Sequence, residues 1–227
     1  MPTDVAQVHR HSLEAQVFQI LRQEILSGHL SGGSRLVQSE VAARFGVSRI
    51  PVRDAFRKLA TLGLVETDDR GNCRVQVQSL LDLREVYEIR RRLEPLAAAK
   101  AVERLVPADL RQLELVVDRM EKASERMDVS DYVDLNTQFH AMIYELSGSR
   151  RLSQLIAVLW SGLPPLTPLS VTGQIAVSLR QHREMLTLLA ARDAAGVERA
   201  VTEHITSSEE KLVATIADRL ATSKSAA

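Results

Sequence analysis

Several residue types are scarce in this sequence, and each shortage excludes a class of protein. The single cysteine, Cys73, excludes an internal disulfide framework and fits a reducing compartment. No apolar run approaches the roughly 18 residues that a membrane-spanning helix needs. The first residues, MPTDVAQVHRHS, lack the apolar core of a signal peptide. We therefore expect a soluble cytoplasmic protein with no membrane partner.

Aromatic residues are also scarce, at 4% of the 227 residues, whereas alanine, leucine, valine, arginine and glutamate are abundant. That mixture favours helices, and a hydrophobic content of 45% supports one large or two small cores. Strand signals occur only before Ser79, where LVETDDRGNCRVQV predicts a strand, a tight turn and a second strand. The sequence therefore predicts a mainly α fold with a domain boundary near residue 78.

Helical periodicity and its stop signals divide the rest of the chain into predicted helices. These helices cover residues 12–27, 39–45, 49–62, 80–104, 107–127, 129–147, 149–161, 173–191 and 193–220. Gly46 separates the second helix from the third, and the predicted hairpin follows the third. Residues 1–78 are thus predicted as a winged helix-turn-helix, and residues 79–227 as an all-helical bundle.

The chain has 29 basic and 29 acidic residues, but its positive charge is concentrated in one segment. Residues 1–78 hold 10 basic and 8 acidic residues, a net of +2, and residues 79–227 hold 19 and 21, a net of −2. Within residues 30–58, six basic side chains outnumber two acidic ones. A local basic patch favours a polyanionic partner even when the whole chain is neutral.

The helix predicted over residues 49–62 separates its charged residues from its apolar ones. Arg49, Arg53 and Arg57 share one face, and the apolar residues share the opposite face. A recognition helix needs this division, because its apolar side packs on its own domain while arginine binds guanine or phosphate. A solvated helix face gives the same pattern. The turn at Gly46, the N-cap candidate Ser48 and the wing together favour nucleic-acid binding.

Over residues 12–77 the sequence resembles the N-terminal winged helix of GntR-superfamily transcription regulators, chiefly through GVSRIPVRDAF. The resemblance implies that Arg49 and Arg53 read bases and that Arg35 contacts phosphate. It also implies that the wing tip, Arg70-Gly71, enters the minor groove. The full set of DNA contacts implied by the resemblance is Arg35, Ser39, Ser48, Arg49, Arg53, Arg70 and Gly71.

Three of the six histidines, His140, His182 and His204, lie on predicted helices of the second domain. Asn136 precedes His140 by four residues, so both side chains point the same way from one helix. Three inward imidazoles on three helices can converge on one metal ion. Each could instead be a core histidine bonded to a backbone carbonyl, and spacing alone leaves both interpretations open.

Residues 80–220 resemble the helical effector domain of the FadR-like branch of the superfamily, often called FCD. Many members carry D-x3-H or N-x3-H and two later histidines as metal ligands, and LNTQFH, RQHREML and TEHITSSEE fit those positions. The resemblance implies a divalent metal held by Asn136, His140, His182 and His204. Imidazole ligands favour zinc or nickel, and we expect a small organic acid to complete the coordination. Because Asn136 is neutral, we expect looser metal binding and stronger attraction for an anion.

Arg90 lies within the inward stripe of the helix predicted over residues 80–104, seven residues from both Leu83 and Ala97. An arginine that faces a core needs a partner. Two interpretations stay open: a salt bridge to an acidic residue on another helix, or a clamp for the carboxylate of a ligand. Ser208, on the same face as His204, is a second candidate for contact with that ligand.

Together these features predict a DNA-binding transcription regulator that acts as a repressor and is not an enzyme. A homodimer would bind a near-palindromic operator, because twofold symmetry of the protein imposes twofold symmetry on the site. Two alternatives use the three histidines differently. One is a metal-dependent hydrolase, for which Asn136 cannot serve as general base. The other is a metal sensor in which the metal itself is the signal.

Overall fold

The computed structural model describes residues 13–26, 29–76, 80–161 and 174–225, with side chains described as far as residue 216. The chain forms two compact units, Met1–Gln78 and Ser79–Ala227. The predicted boundary near residue 78 lies outside the described residues, since 77–79 are not among them. The described residues are mainly helical, with one small sheet in the first unit, and the predicted fold class is confirmed.

The first unit contains a helix, a helix-turn-helix and a wing, in the predicted order. Its elements are α1 (Leu13–Leu26), β1 (Arg35–Leu36), α2 (Gln38–Phe45), α3 (Arg49–Thr61), β2 (Val65–Thr67) and β3 (Cys73–Val75). The strands form an antiparallel sheet in the order β1-β3-β2, with Arg35 opposite Arg74 and Val65 opposite Val75. The sequence predicts only β2 and β3, because a two-residue strand is too short to show alternation.

The turn between α2 and α3 depends on Gly46. Its φ of 64° is left-handed, and its N–H bonds to the carbonyls of Ala42 and Ala43 at the end of α2. Glycine adopts this conformation without the strain that a Cβ brings. Ser48 occupies the predicted N-cap position of α3, but its side chain accepts no hydrogen bond from that helix. The capping position is therefore confirmed, whereas the capping contact is not formed.

The core of the first unit lies under α3. The apolar face of α3 is at most 1% exposed and consists of Val52, Ala55, Phe56 and Leu59. Val17 and Leu21 of α1 belong to the same cluster, as do residues of all three strands. This packing holds the opposite face of α3 toward solvent.

The second unit consists of six helices within the described residues. They are α4 (Leu80–Arg104), α5 (Pro107–Glu125), α6 (Val129–Leu146), α7 (Arg150–Ser161), α8 (Gln174–Ala190) and α9 (Ala194–Ser225). Most bounds fall within two residues of those predicted, but α9 continues to Ser225, beyond the predicted end at residue 220. In the part of the chain that the structure describes, no helix combines the length and hydropathy that crossing a bilayer requires.

Helix α4 is the centre of the second unit. It packs against α6, α7 and α9, while α5 packs against α6 and α8, and α8 against α9. The largest fully buried side chains come from several of these helices: Tyr87, Leu113, Met120, Tyr132, Phe139 and Ile143. Their packing fixes the positions from which polar side chains of α6, α8 and α9 meet.

We expect Phe56→Ala to destabilise the first unit by about 3–5 kcal/mol, because it removes a buried ring from the core. Hydrogen–deuterium exchange of the α3 amides in the full-length protein measures this change for the first unit alone. Ile50→Ala is the matched control, since Ile50 is on the same helix but 62% exposed, and should change stability by less than about 0.5 kcal/mol. Equal protection of α3 in both variants would contradict the assigned core.

Candidate functional site

Helix α3 presents arginines to solvent. Arg49, Arg53 and Arg57 are exposed, opposite the buried apolar face. Asp54 lies 3.6 Å from both Arg53 and Arg57, and all three side chains are at least 40% exposed. Exposed pairs at this distance are weak, so both arginines remain able to bind another anion.

The wing is joined to the start of α2 by hydrogen bonds. The carboxylate of Asp68 accepts from the N–H groups of Arg70 and Asn72, at 2.9 and 2.8 Å, which closes the turn between β2 and β3. The side chain of Gln38, the first residue of α2, donates to the carbonyl of Gly71 at 2.6 Å. The backbone N–H of Gln38 donates to the side-chain oxygen of Asn72 at 3.3 Å. These contacts leave Arg70 exposed at the wing tip.

The other predicted DNA contacts lie in the same unit. Arg35 is exposed on β1, Ser39 is half-buried in the first turn of α2, and Ser48 is exposed directly before α3. Gly71 has a φ of 76°, and a Cβ added there would lie 2.6 Å from the Gln38 amide nitrogen. A larger residue at position 71 would therefore disturb the contact between the wing and α2.

The three predicted histidines of the second unit come together. His140 of α6, His182 of α8 and His204 of α9 are at most 5% exposed, and their ligating nitrogens all lie within 4.8 Å of one another. The Nε2 atoms of His140 and His182 are 3.1 Å apart. Two nitrogens at about 2.1 Å from one metal ion lie roughly 3.0–3.4 Å apart, so this spacing fits a shared ion.

Hydrogen bonds determine which imidazole nitrogens are available to a metal. The Tyr144 hydroxyl donates to Glu94 at 2.5 Å, so it can only accept at its 3.2 Å contact with His140 Nδ1. His140 therefore carries its proton on Nδ1. His204 Nδ1 lies 2.9 Å from the Gln181 side-chain oxygen and donates to it. In both residues the Nε2 lone pair is left for a ligand.

The three imidazoles are held in the neutral form. Burial lowers the pKa of His140 well below its usual value, with further lowering by His204, His182 and Arg90. Burial and His204 lower the pKa of His182 well below its usual value as well. Burial, followed by Arg90, lowers the pKa of His204 to about 3. Metal coordination requires neutral imidazole, so the site needs no deprotonation near neutral pH.

Asn136 is the predicted fourth donor. It lies one turn before His140 on α6 and is 7% exposed, and its side-chain oxygen has no hydrogen-bond partner among the described residues. His182 Nδ1 is buried without a partner in the same set. A buried amide oxygen with no donor is costly unless something binds it. The donor set of three imidazoles and one amide oxygen therefore fits a divalent metal ion.

Arg90 is paired within its own helix, not with an acid on another helix as one interpretation expected. Its Nε donates to Glu94 at 2.5 Å, and both side chains are at most 6% exposed. The guanidinium lies 4.7 Å from the ring centroids of both Tyr87 and Trp160. Glu94 also accepts from Trp160 at 2.8 Å. Arg90 therefore forms an ion pair, but its partner lies on α4 itself. A ligand clamp at Arg90 stays a prediction.

Sequence reasoning did not identify Glu94, Tyr144 or Gln181 as part of the site. Glu94 and Tyr144 each stand four residues after an identified residue, Arg90 and His140, and that spacing is the signal that could have found them. Ser208 is half-buried one turn beyond His204, and its contact with a ligand also stays a prediction.

Gln181 also lines a groove of about 830 Å³ between α8 and α9. Arg180, Glu198, Thr202 and Glu203 form other parts of its wall. Gln181 contacts His204 directly, so a single side chain separates this groove from that histidine. A buried metal site needs such an access path.

We expect Arg90→Ala to destabilise the second unit by about 3–5 kcal/mol, because it leaves the Glu94 carboxylate buried without its counter-ion. Urea unfolding followed through the fluorescence of Trp160, the sole tryptophan, measures this change. Arg92→Ala is the matched control, since Arg92 is exposed on the same helix. Arg90→Ala/Glu94→Gln should recover part of the loss. An unfolding midpoint unchanged by Arg90→Ala would show that the pair contributes nothing to stability.

Comparisons with known proteins bear on the family and the fold of the chain. Residues 13–75 match the family described as "Bacterial regulatory proteins, gntR family", and residues 85–207 match the FCD domain. The chain is 30% identical over 192 residues to the HTH-type transcriptional repressor RspR of Escherichia coli, covering 84% of each chain. It is 28% identical to a probable D-xylose utilization operon transcriptional repressor of Paenarthrobacter nicotinovorans, covering 86% of this chain and 87% of that one.

A solved structure has the same fold. The structure of E. coli McbR/YncC superposes with a TM-score of 0.76 at 26% identity, covering 92% of this chain and 100% of that one. The matches to both families together extend over both units of the chain. The chain therefore belongs to the GntR family of bacterial DNA-binding transcription regulators and carries an FCD domain.

Proposed function

We propose that operator binding by this regulator is controlled by a small organic acid bound at a divalent metal ion, zinc or nickel, in the second unit. The observation that carries the proposal is the convergence of three buried, neutral imidazoles, with the unpartnered oxygen of Asn136 one helical turn before His140 on α6. His140, His182, His204 and Asn136 would hold the ion. Bound there, it would act as a Lewis acid that attracts the carboxylate of the ligand.

The charges around the site support an anionic ligand. All four donors are neutral, so a bound divalent ion would keep its full charge of about +2. The charges of Arg90 and Glu94 offset each other at 2.5 Å. A carboxylate would therefore be drawn to the metal more strongly than to Arg90, which we assign a positioning role beside the pocket.

For DNA we propose a cytoplasmic homodimer whose two first units bind a near-palindromic operator. Arg49 and Arg53 would read bases, Arg35, Ser39 and Ser48 would contact the backbone, and the Arg70-Gly71 wing tip would enter the minor groove. The exposure of the arginines supports these roles. The names of two relatives include the word repressor, which supports repression as the direction of control.

A metal-dependent hydrolase is the less favoured alternative. Hydrolysis at a histidine-bound metal needs a base that can take a proton from water. Glu94 is the fully buried acid linked to His140 through Tyr144. It already accepts hydrogen bonds from Arg90, Tyr144 and Trp160, so it does not serve as that base.

A metal sensor remains the second alternative. Titrating metal alone while DNA binding is followed separates a metal sensor from acid sensing.

We expect the purified full-length protein to bind about one zinc or nickel ion per chain. His182→Ala should lower the metal affinity by more than about 100-fold, since it removes a ligand itself and not an outer-shell partner.

Asn136→Asp should raise the metal affinity by at least about tenfold, because it adds a negative charge at the ion. The same substitution should weaken binding of an anionic acid. Elemental analysis and calorimetry with zinc, then with a panel of mono-, di- and tricarboxylic acids, measure these effects.

Wild-type protein that takes up no metal would contradict the proposed centre. Metal uptake with no response of DNA binding to any acid of the panel would instead favour the metal sensor. Fluorescence anisotropy of a labelled duplex, selected by the wild-type protein from a randomised library, gives the DNA-binding measurement in both cases.

We expect Arg49→Ala and Arg53→Ala each to cost about 1–3 kcal/mol of discrimination between that selected duplex and random DNA. Dimerisation, followed by analytical ultracentrifugation, should be unchanged. Arg119→Ala removes an exposed arginine of α5 and is the charge-matched control. Unaltered discrimination in both α3 variants would show that α3 is not the recognition helix.

A further inference from the structure

The tip of the wing extends beyond the sheet of the first unit. The last residue of β1, Leu36, and the last residue of β2, Thr67, both pair with Cys73 at the start of β3. Residues 68–72 form the tip and belong to no strand of the described chain. Contacts other than strand pairing therefore determine where the tip points.

One set of contacts closes the tip on itself. The N–H of Asp68 donates to the carbonyl of Asn72 at 2.8 Å, and the N–H of Gly71 donates to the carbonyl of Asp68 at 2.9 Å. The Asp68 carboxylate adds its own bonds to the N–H groups of Arg70 and Asn72. All these bonds lie within the tip, so they fix the shape of the turn but not its direction.

A reciprocal pair of hydrogen bonds joins the tip to α2. The Gln38 side chain donates to the Gly71 carbonyl at 2.6 Å, and the Asn72 side-chain oxygen accepts from the Gln38 backbone N–H at 3.3 Å. The second bond satisfies an N–H in the first turn of α2, where the N-cap residue, Val37, makes no side-chain cap. We call Gln38, Gly71 and Asn72 the wing clamp.

The clamp restricts the residues that can form it. A carbonyl oxygen only accepts hydrogen bonds, so the side chain at position 38 has to present a donor to Gly71. Gln38 and Gly71 are both half-buried, which limits competition from water. A Cβ at position 71 would lie 2.6 Å from the Gln38 amide nitrogen. The contact therefore requires a donor at position 38 and glycine at position 71.

We propose that Gln38 is a positioning residue for DNA recognition, which holds the wing tip in the direction that brings Arg70 into the minor groove. Gln38 needs no DNA contact for this role, because its amide is committed to Gly71. Arg70 stands next to the clamp and stays exposed. A tip that is held before DNA arrives loses less conformational freedom on binding. The inference rests on the proposed entry of the Arg70-Gly71 tip into the minor groove.

The test is a double-mutant cycle on the full-length protein and its selected duplex, followed by fluorescence anisotropy. Gln38→Met keeps the length of the side chain but removes the donor. It should weaken binding about three- to tenfold, the effect of having to order one side chain during association. In an Arg70→Ala background the same change should matter by less than about twofold, because the clamp acts through Arg70. Combined with Arg53→Ala, its full effect should persist.

Two further measurements separate positioning from a general structural role. Hydrogen–deuterium exchange of the α3 amides should be the same in Gln38→Met and wild type, because water can replace a half-buried donor. Footprinting of the Gln38→Met complex should show reduced hydroxyl-radical protection in the minor groove. Protection of guanine N7 from dimethyl sulfate in the major groove should persist. Gln19→Met is the matched control, since Gln19 is exposed on α1, and should change none of these readings.

The possible failures are distinguishable. Wild-type affinity of Arg70→Ala would overturn entry of the wing into the minor groove and the role of Gln38 with it. A defect in Arg70→Ala without one in Gln38→Met would overturn the role of Gln38 alone. A Gln38→Met defect of equal size in both backgrounds, or weaker protection of α3, would assign Gln38 to general stability and overturn its positioning role.

Discussion

The second unit depends on the buried carboxylate of Glu94. This group accepts hydrogen bonds from Arg90 on its own helix, from Tyr144 of α6 and from Trp160 of α7. It thereby links three helices through one desolvated charge, which is stable only while every donor is present. The Tyr144 hydroxyl, committed to Glu94, also sets the tautomer of His140. The packing of α4 and the availability of a metal ligand therefore have the same origin.

That network also determines how the pocket can respond. Arg90 and Glu94 offset each other, the three imidazoles are neutral and Asn136 carries no charge. A divalent ion would thus be the main uncompensated charge in the pocket. In the proposed mechanism, the metal therefore makes the pocket attractive to an acid.

The sequence is sufficient to predict the helices, because 3.6-residue periodicity is a local property. Helical spacing together with the family resemblance also singled out the three histidines that the structure brings together. The sequence is insufficient for contacts that depend on packing from all sides. An arginine and a glutamate four residues apart usually form a solvent-exposed pair. Only the positions of α6 and α7 show that Arg90 and Glu94 are buried. Likewise, β1 forms because β3 lies beside it, and a two-residue segment carries no pattern of its own.

The contact between Gln38 and the wing has a consequence for how operators can change. Because Gln38 joins α2 to Gly71, the wing cannot swing freely with respect to the helix-turn-helix. In the proposed complex, the major-groove and minor-groove contacts of one half-site then keep a fixed helical phase. Inserting one base pair between them would rotate one contact by roughly 35° away from the protein. Operators of this regulator should therefore diverge by base substitution within a half-site of constant length.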